Sequence, residues 1–142
     1  MKKLKIYLDG GARGNPGLAA IGFVIKDATN QIISQRGQFI GKATNNQAEY
    51  QALIAVFNWL KDYQQTHQKS LEQVDLFLDS QLVVKQMQGI YKIKSAKIKF
   101  LWQKAKELES KLWPLKIYYH LIPRSLNWQA DCLLNQALDL LK

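Results

Sequence analysis

The first stretch of the chain has the apolar–polar alternation of a strand with one buried face. In residues 4–9, Leu-Lys-Ile-Tyr-Leu-Asp, every second side chain is aliphatic, which is the period of a β-strand. Asp9 falls on the polar side. Residues 10–17 contain four glycines and one proline, which favours a sharp turn with little side-chain bulk. We expect Asp9 at a strand end beside accessible backbone, although a hairpin with an ordinary solvated Asp would show the same pattern.

Two more strands and a helix follow. Residues 19–26 and 31–40 predict strands joined by short polar links, which favours an antiparallel meander. Thr44 and Gln47 have the spacing of a capping box. Residues 48–60 are apolar nearly all round, as in a helix buried on more than one side. Glu49 is predicted in the first turn of this helix, where an acid is also typical of simple capping.

The next strand repeats the pattern of the first. Beyond a predicted polar connector at residues 62–73, residues 74–79 place aliphatic side chains on one side and Asp79 on the other. A strand–helix–strand unit forms a right-handed crossover with parallel strands. If these strands are neighbours, about 4.8 Å apart, Asp9 and Asp79 lie side by side. Two carboxylates that close repel each other unless a cation lies between them.

The last third of the chain is basic and then apolar. Residues 80–106 contain seven lysines and no acid, and they predict two helices broken near Gly89. This lysine-rich segment fits a phosphate-facing surface, although lysines on helices are often only solvated. Residues 115–122 predict the last strand. Asn127 is expected to cap a final helix with Asp131 in its first turn. The element order βββαβααβα predicts a mixed α/β sheet.

Composition limits the classes of protein. The 142 residues fit a single domain, residues 1–142, and the formal net charge of +9 favours a polyanionic partner. No apolar run is long enough to span a bilayer, and the N-terminus lacks the features of a signal peptide. The single cysteine, Cys132, fits a reducing compartment. We expect a cytoplasmic protein with no membrane partner.

Four of the eleven acids stand out by position: Asp9 and Asp79 at parallel strand ends, and Glu49 and Asp131 near helix starts. Carboxylates without His or Cys suit hard cations such as Mg²⁺ or Mn²⁺. Two such ions about 4 Å apart can activate a water and stabilise the leaving oxygen of a phosphodiester. Residues 10–17 are not followed by the Gly-Lys-Ser/Thr of a nucleotide-binding loop. These features point to a metal-dependent nuclease.

At these residues the chain resembles type 1 ribonuclease H. The matching segments are residues 8–17 (Leu-Asp-Gly-Gly-Ala-Arg-Gly-Asn-Pro-Gly), 44–50 (Thr-Asn-Asn-Gln-Ala-Glu-Tyr), 78–81 (Leu-Asp-Ser-Gln) and 127–131 (Asn-Trp-Gln-Ala-Asp). The resemblance implies a five-stranded mixed sheet, three antiparallel strands followed by parallel ones, with helices on both faces. It also implies endonucleolytic hydrolysis of the RNA strand of RNA–DNA hybrids, leaving 5′-phosphate ends.

The resemblance assigns roles to particular residues. It implies that Asp9 bridges two Mg²⁺ ions, for which Mn²⁺ can substitute, that Asp131 holds the ion beside the attacking water, and that Glu49 and Asp79 hold the other. Other matching positions are expected to bind the substrate, through ribose 2′-hydroxyls, hybrid grooves and phosphates. Together with two lysines of the basic segment, the expected substrate-binding residues are Gly11, Ala12, Arg13, Asn15, Thr44, Asn45, Gln81, Lys97 and Lys99.

The chain departs from many family members between its last strand and last helix. Residues 123–127, Pro-Arg-Ser-Leu-Asn, are short and contain no histidine, so the chain resembles the short-loop branch of archaea and some bacteria. Arg124 lies nearer the position of the family's loop histidine than His120 does. We expect a monomer with no obligate protein partner. A non-catalytic nucleic-acid-binding relative is the main alternative, and a resolvase- or integrase-like DNA nuclease is a weaker one.

Overall fold

The computed structural model describes residues 2–67 and 71–141 of the chain. Within these residues the chain forms five strands, four α-helices and one 3₁₀ turn. The strands are β1 (Lys2–Gly14), β2 (Gly17–Asp27), β3 (Ile32–Ala43), β4 (Leu71–Leu78) and β5 (Lys116–Leu121). The helices are α1 (Asn45–Thr66), α2 (Gln81–Met87), α3 (Ala96–Lys111) and α4 (Trp128–Asp139), and the 3₁₀ turn spans Arg124–Asn127.

The strands form one mixed sheet in the order β3-β2-β1-β4-β5. The first three strands are an antiparallel meander, because short polar turns connect them. β4 lies parallel to β1 after the α1 crossover, and β5 lies parallel to β4. The predicted five-stranded α/β fold is confirmed, and β1 occupies the centre of the sheet.

The main core lies between the sheet and α1. Leu4, Ile6 and Leu8 are fully buried on the α1 side, as their alternation predicts. Gly10 continues this row, and a Cβ atom there would lie 2.2 Å from the carbonyl oxygen of Ala48. Because glycine has no Cβ, the start of α1 rests directly on β1. This contact brings the first two turns of α1 to the end of the sheet's aliphatic row.

α4 packs on the opposite face of the sheet. Its Ala130 carbonyl oxygen would lie 2.2 Å from a Cβ added to Gly22, so the helix backbone touches the strand backbone there. Leu134 and Leu138 pack with Ala20 in a second, smaller core. Helices therefore cover both faces, as predicted.

Several predicted boundaries were wrong. β1 continues through the glycines to Gly14, because its antiparallel pairing with β2 runs on after β4 has left the sheet. α1 extends to Thr66 and β4 begins at Leu71, so residues 62–66 of the predicted connector are helix and residues 71–73 are strand, while residues 68–70 lie outside the described residues. No helix within the described ranges is long and apolar enough to cross a membrane.

Candidate active site

Three carboxylates converge where β1 and β4 separate. Asp9 extends from β1, Asp79 follows the last residue of β4, and Glu49 projects from α1. One oxygen atom of each lies within 4.8 Å of the other two. Pairing between β1 and β4 ends at Tyr7 and Phe77, two residues before the two aspartates. The side-by-side placement predicted for Asp9 and Asp79 is confirmed.

The position of Glu49 on α1 differs from the prediction. The capping box is present: the Thr44 hydroxyl accepts a 3.2 Å hydrogen bond from the Gln47 N–H, and the Gln47 side chain accepts one of 2.9 Å from the Thr44 N–H. Because α1 begins at Asn45, Glu49 is one residue beyond the first turn, which contains no acid. Its placement is therefore due to the helix resting on the sheet and not to capping.

The carboxylates share an environment that disfavours their charges. Burial, together with the charges of Asp79, Asp131 and Glu49, raises the pKa of Asp9 from 3.8 to about 8. Burial likewise raises the pKa of Glu49 from 4.5 to about 7, with a hydrogen bond from Ser80 and the charge of Arg124 acting in the opposite sense. Without a cation, this cluster therefore holds protons near neutral pH.

Asp131 lies in the same cavity but outside the closest group. It occupies the first turn of α4, as predicted. The cavity, of about 480 Å³, is lined by all four predicted carboxylates and by Arg124. The pairing of β1 with β2 and the packing of α4 on β2 determine the position of Asp131. Asp9 pairs with Gly22, and the carbonyl of Ala130 packs on Gly22. The residue that follows Ala130 therefore reaches the edge of the cluster.

Asn127 has a different role from the predicted cap. Its side chain makes no capping hydrogen bond to α4. Instead, its fully buried amide nitrogen donates to the Leu8 carbonyl at 2.8 Å and to the Asp79 carboxylate at 3.0 Å. Its Oδ1 atom is buried and has no partner among the described residues. Sequence reasoning missed this contact, since the only local signal was an asparagine before a helix.

Three of the predicted substrate-binding residues form a hydrogen-bonded group at the cavity rim. The Ala12 N–H donates to the Asn45 side-chain oxygen at 2.9 Å, and the Asn45 N–H donates to the Asn15 side-chain oxygen at 3.0 Å. Both asparagine oxygens are therefore occupied, and both NH₂ groups remain to face a ligand. The N–H of Ala12 is used within the protein.

The other predicted binding residues of the first strand and of α2 lie close by. Gly11 and Gln81 line the cavity. Gln81 is exposed and donates a 3.1 Å hydrogen bond to the Tyr91 hydroxyl. The guanidinium of Arg13 forms a 2.8 Å ion pair with Asp139 and contacts Asn135. The Arg13 side chain therefore ties β1 to α4.

A second cavity, of about 710 Å³, adjoins the first. It is lined by Asn15, Thr44 and Lys97, as well as Lys42 and Ser95. Asn45 lines it too, so Lys97 lies with three other predicted binding residues. Lys99 is exposed on α3 but does not line this cavity. The two lysines predicted as a pair are thus in different positions relative to the site.

Arg124 and His120 are the two candidates to replace the family's loop histidine, and only Arg124 lies at the carboxylate cavity. Arg124 lines the carboxylate cavity and acts electrostatically on Glu49. His120 lies on β5, where its Nε2 is 2.7 Å from a carboxylate oxygen of Asp75 and its ring stacks on Phe77 at 4.9 Å. His120 does not line the cavity.

The cluster fits a divalent cation. All its candidate ligands are carboxylate oxygens, the donors that Mg²⁺ and Mn²⁺ prefer. The charges of Asp79, Asp131 and Glu49 all raise the pKa of Asp9, so a positive charge close to Asp9 would be stabilised there. A cation bound by Asp9, Glu49 and Asp79 would supply it.

The mixed sheet and this acidic site together define a ribonuclease H-like domain. A sequence profile of the family described as reverse transcriptase-like matches residues 7–137. The chain belongs to this family, and its domain is of the type 1 ribonuclease H kind.

Relatives agree with this assignment. Ribonuclease HI of Halobacterium salinarum is 38% identical over 137 residues, which are 96% of this chain and 65% of that protein. A bifunctional protein of Mycobacterium tuberculosis is 38% identical over 138 residues, 96% of this chain and 36% of that protein. The chain thus spans only about two thirds and one third of these relatives' lengths.

Solved structures are similar over nearly their whole length. RNase H1 of Halobacterium salinarum has a TM-score of 0.86 at 37% identity, covering 96% of this chain and 98% of that one. LC11-RNase H1, a compost metagenome protein crystallised with an RNA/DNA hybrid, has a TM-score of 0.86 at 41% identity and 96% coverage of both chains. The fold and the family are therefore shown independently.

Proposed function

We propose that this protein is an endonuclease that hydrolyses the RNA strand of RNA–DNA hybrids, leaving 5′-phosphate ends. The observation that carries the proposal is the convergence of Asp9, Glu49 and Asp79 within 4.8 Å at one end of the sheet. The likeness to LC11-RNase H1, whose structure holds a hybrid, supports the choice of substrate.

The four carboxylates would hold two Mg²⁺ ions, or Mn²⁺ in their place. Bound ions of this kind activate a water molecule and stabilise the leaving oxygen of a phosphodiester. The resemblance assigns Asp9 to both ions, Glu49 and Asp79 to one, and Asp131 to the other. Asp131 lines the same cavity but lies outside the group formed by Asp9, Glu49 and Asp79, which supports its assignment to a different ion.

The rim residues supply specificity for ribose. A 2′-hydroxyl can accept a hydrogen bond, and Asn15 and Asn45 present NH₂ donors whose oxygens are already held by the protein. Gln81, on α2, also lines the carboxylate cavity. Donors along the two adjoining cavities would read several riboses of one strand and leave DNA duplexes unbound.

A direct assay tests the proposal. A labelled hybrid, an RNA duplex and a DNA duplex of one sequence are incubated with the protein in Mg²⁺, Mn²⁺ or EDTA. We expect cleavage of the RNA strand of the hybrid only, 5′-phosphate products, and no cleavage in EDTA. Asp79→Asn should be inactive, whereas Asp62→Asn, at an exposed acid of α1, should be fully active.

The assay also separates the alternative function. A non-catalytic relative would bind the hybrid and cut nothing in either metal. The presence of four carboxylates at a partly buried site disfavours this alternative, because acids removed from water without a compensating charge are costly. Cleavage of the DNA duplex at a similar rate would overturn the proposal in favour of a DNA nuclease.

A monomeric, cytoplasmic protein with no obligate protein partner remains our prediction. The single cysteine, exposed Cys132, supports a reducing compartment. Light scattering during size exclusion should give one protomer mass, and a dimer mass would contradict the monomer.

A further inference from the structure

A buried glutamine lies at the junction of three elements beside the active site. Gln86, on α2, is only 5% exposed. Its side-chain oxygen accepts a 2.7 Å hydrogen bond from the hydroxyl of Tyr50 on α1, and its main-chain oxygen accepts one of 3.3 Å from the indole of Trp102 on α3. A buried amide is costly unless both of its ends are bonded, so the partner of its NH₂ group matters.

That partner belongs to the segment joining α2 and α3, residues 88–95, which we call the lysine loop. The Gln86 NH₂ group donates to the carbonyl of Lys92 at 3.4 Å. The start of the loop is held separately, because the N–H groups of Ile90 and Tyr91 donate to the Lys85 carbonyl at 2.8 and 3.1 Å. Gln86 therefore anchors the later part of the loop.

The orientation of the Gln86 amide is determined by Tyr50. The Tyr50 side chain is fully buried, and its hydroxyl donates to the side-chain oxygen of Gln86. A donor on one side of the amide requires oxygen there and nitrogen on the other side. Tyr50, the residue after Glu49, thus aims the Gln86 NH₂ group at the lysine loop.

The lysine loop is connected by a hydrogen bond to the wall of the carboxylate cavity. Its Tyr91 accepts the hydrogen bond from Gln81, which lines the carboxylate cavity. Lys92 and Lys94 are exposed, whereas Ile93 between them packs partly against the core. With Ile93 packed inward, the charged side chains on either side of it are exposed to solvent.

We propose that Gln86 is a positioning residue: its amide holds the lysine loop so that Lys92 and Lys94 contact phosphates of the hybrid beside the active site. This inference rests on the proposed function. It assigns to Gln86 an effect on substrate affinity and none on the chemical step, because Gln86 touches neither the carboxylates nor the substrate.

Steady-state kinetics on a labelled hybrid in Mg²⁺ test the proposal. Gln86→Leu removes both side-chain bonds, and Gln86→Glu keeps the acceptor for Tyr50 but loses the donor to Lys92. We expect both to raise KM about threefold to tenfold, as for one or two lost hydrogen bonds, with kcat changed less than twofold. Gln103→Leu, at an exposed position of α3, is the matched control and should leave both constants unchanged.

A coupled variant separates positioning from general damage. In a Lys92→Ala, Lys94→Ala background, Gln86→Leu should raise KM less than twofold further, because the groups that it positions are gone. An equal KM ratio in both backgrounds, or a fall in kcat without a change in KM, overturns the proposal. If Gln86→Leu does not fold, Tyr50→Phe, which removes one oxygen atom, is tested in its place with the same expectations.

Hydrogen exchange of the free protein tests the anchor independently of activity. Gln86→Leu should speed amide exchange in the lysine loop about tenfold and leave α4 unchanged. Unchanged loop exchange overturns the inference even if the wild type cuts hybrids. Faster loop exchange in a protein that cuts no hybrid would instead retain the anchor and reject the proposed function.

Discussion

The side-chain amide of Asn127 donates a hydrogen bond to the carboxylate of Asp79 across 48 residues of sequence. The same nitrogen also donates to the Leu8 carbonyl, one residue before Asp9. One buried amide thus links the last helix to the ends of both strands that carry aspartates.

Replacing Asn127 should therefore weaken both the fold and the site. Asn127→Ala leaves the Leu8 carbonyl without its buried donor, and we expect a loss of about 1–3 kcal/mol in the free energy of unfolding. Mg²⁺ affinity should fall as well, because Asp79 loses its orienting partner. Denaturant titration and calorimetric Mg²⁺ titration measure the two effects. Asn58→Ala, exposed on α1, is the control, and equal effects of the two substitutions would refute the assignment.

The metal-free protein should lose stability as the pH rises from about 4 to about 8. The pKa of Asp9 is about 8 in the folded protein and 3.8 ordinarily, and that of Glu49 is about 7 against 4.5. In this range the folded state binds more protons than the unfolded state, so the free energy of unfolding falls with increasing pH.

Asp9→Asn should reduce this fall and be more stable than the wild type at pH 8 in EDTA. Added Mg²⁺ should then stabilise the wild type more than the variant, since only the native site binds the ion well. Thermal unfolding at several pH values tests both statements, with Asp62→Asn as the control. A wild type that is equally stable at pH 5 and pH 8 in EDTA would contradict them.

His120→Ala should reduce kcat less than about tenfold, or about 1.4 kcal/mol. The ring of His120 is engaged by Asp75 and Phe77 and lies outside the cavity. Arg124 does line the cavity, but a guanidinium is not a proton shuttle. The pH–rate profile of the variant should therefore match that of the wild type. A thousandfold loss in a folded, metal-binding variant would show a catalytic role for His120.

Salt dependence should distinguish the two lysines of α3. Each phosphate contact contributes about one unit to the slope of log K against log salt. Lys97 lines the second cavity with Thr44 and Asn15, so Lys97→Ala should flatten the slope by about one unit. The double variant with Lys99→Ala should flatten it by about two units if Lys99 also contacts a phosphate, and by about one unit if it does not. Lys61→Ala on α1 is the control, and an unchanged slope in Lys97→Ala would assign Lys97 to a merely solvated surface.

Hybrids with a single ribonucleotide should be poor substrates. Asn45 and Gln81 line the carboxylate cavity and Asn15 lines the adjoining one, so these donors would contact several 2′-hydroxyls in register. We expect cleavage at a lone ribonucleotide to be slower by at least about a hundredfold, since groups built to bond a hydroxyl discriminate strongly against its absence. Comparable rates on the two substrates would contradict the proposed reading of ribose.

Local rules predicted most of the site. The meeting of Asp9 and Asp79 followed from side-chain parity and parallel neighbours, and the capping box at Thr44 followed from four adjacent residues. Helix ends were less predictable: residues 61–66 are mostly polar but contain no glycine or proline, so α1 simply continues with an exposed face.

Contacts between residues far apart in the sequence could not be predicted from local patterns. Asn127 was predicted as a cap because capping depends on neighbours in sequence, whereas its actual partners are 48 and 119 residues away. The anchor at Gln86 was missed for the same reason, since a glutamine within a short helix carries no local sign of being buried.

The docking of α4 across Gly22 gives the site an order of assembly. On a ribosome, Asp9, Glu49 and Asp79 are all present in the nascent chain once residue 79 has been added. Asp131 is synthesised later, on a helix that follows every other element of this chain. The fourth carboxylate reaches the others only when that helix settles on the finished sheet. A partly synthesised chain therefore carries an incomplete site, and complete chemistry waits for the last helix.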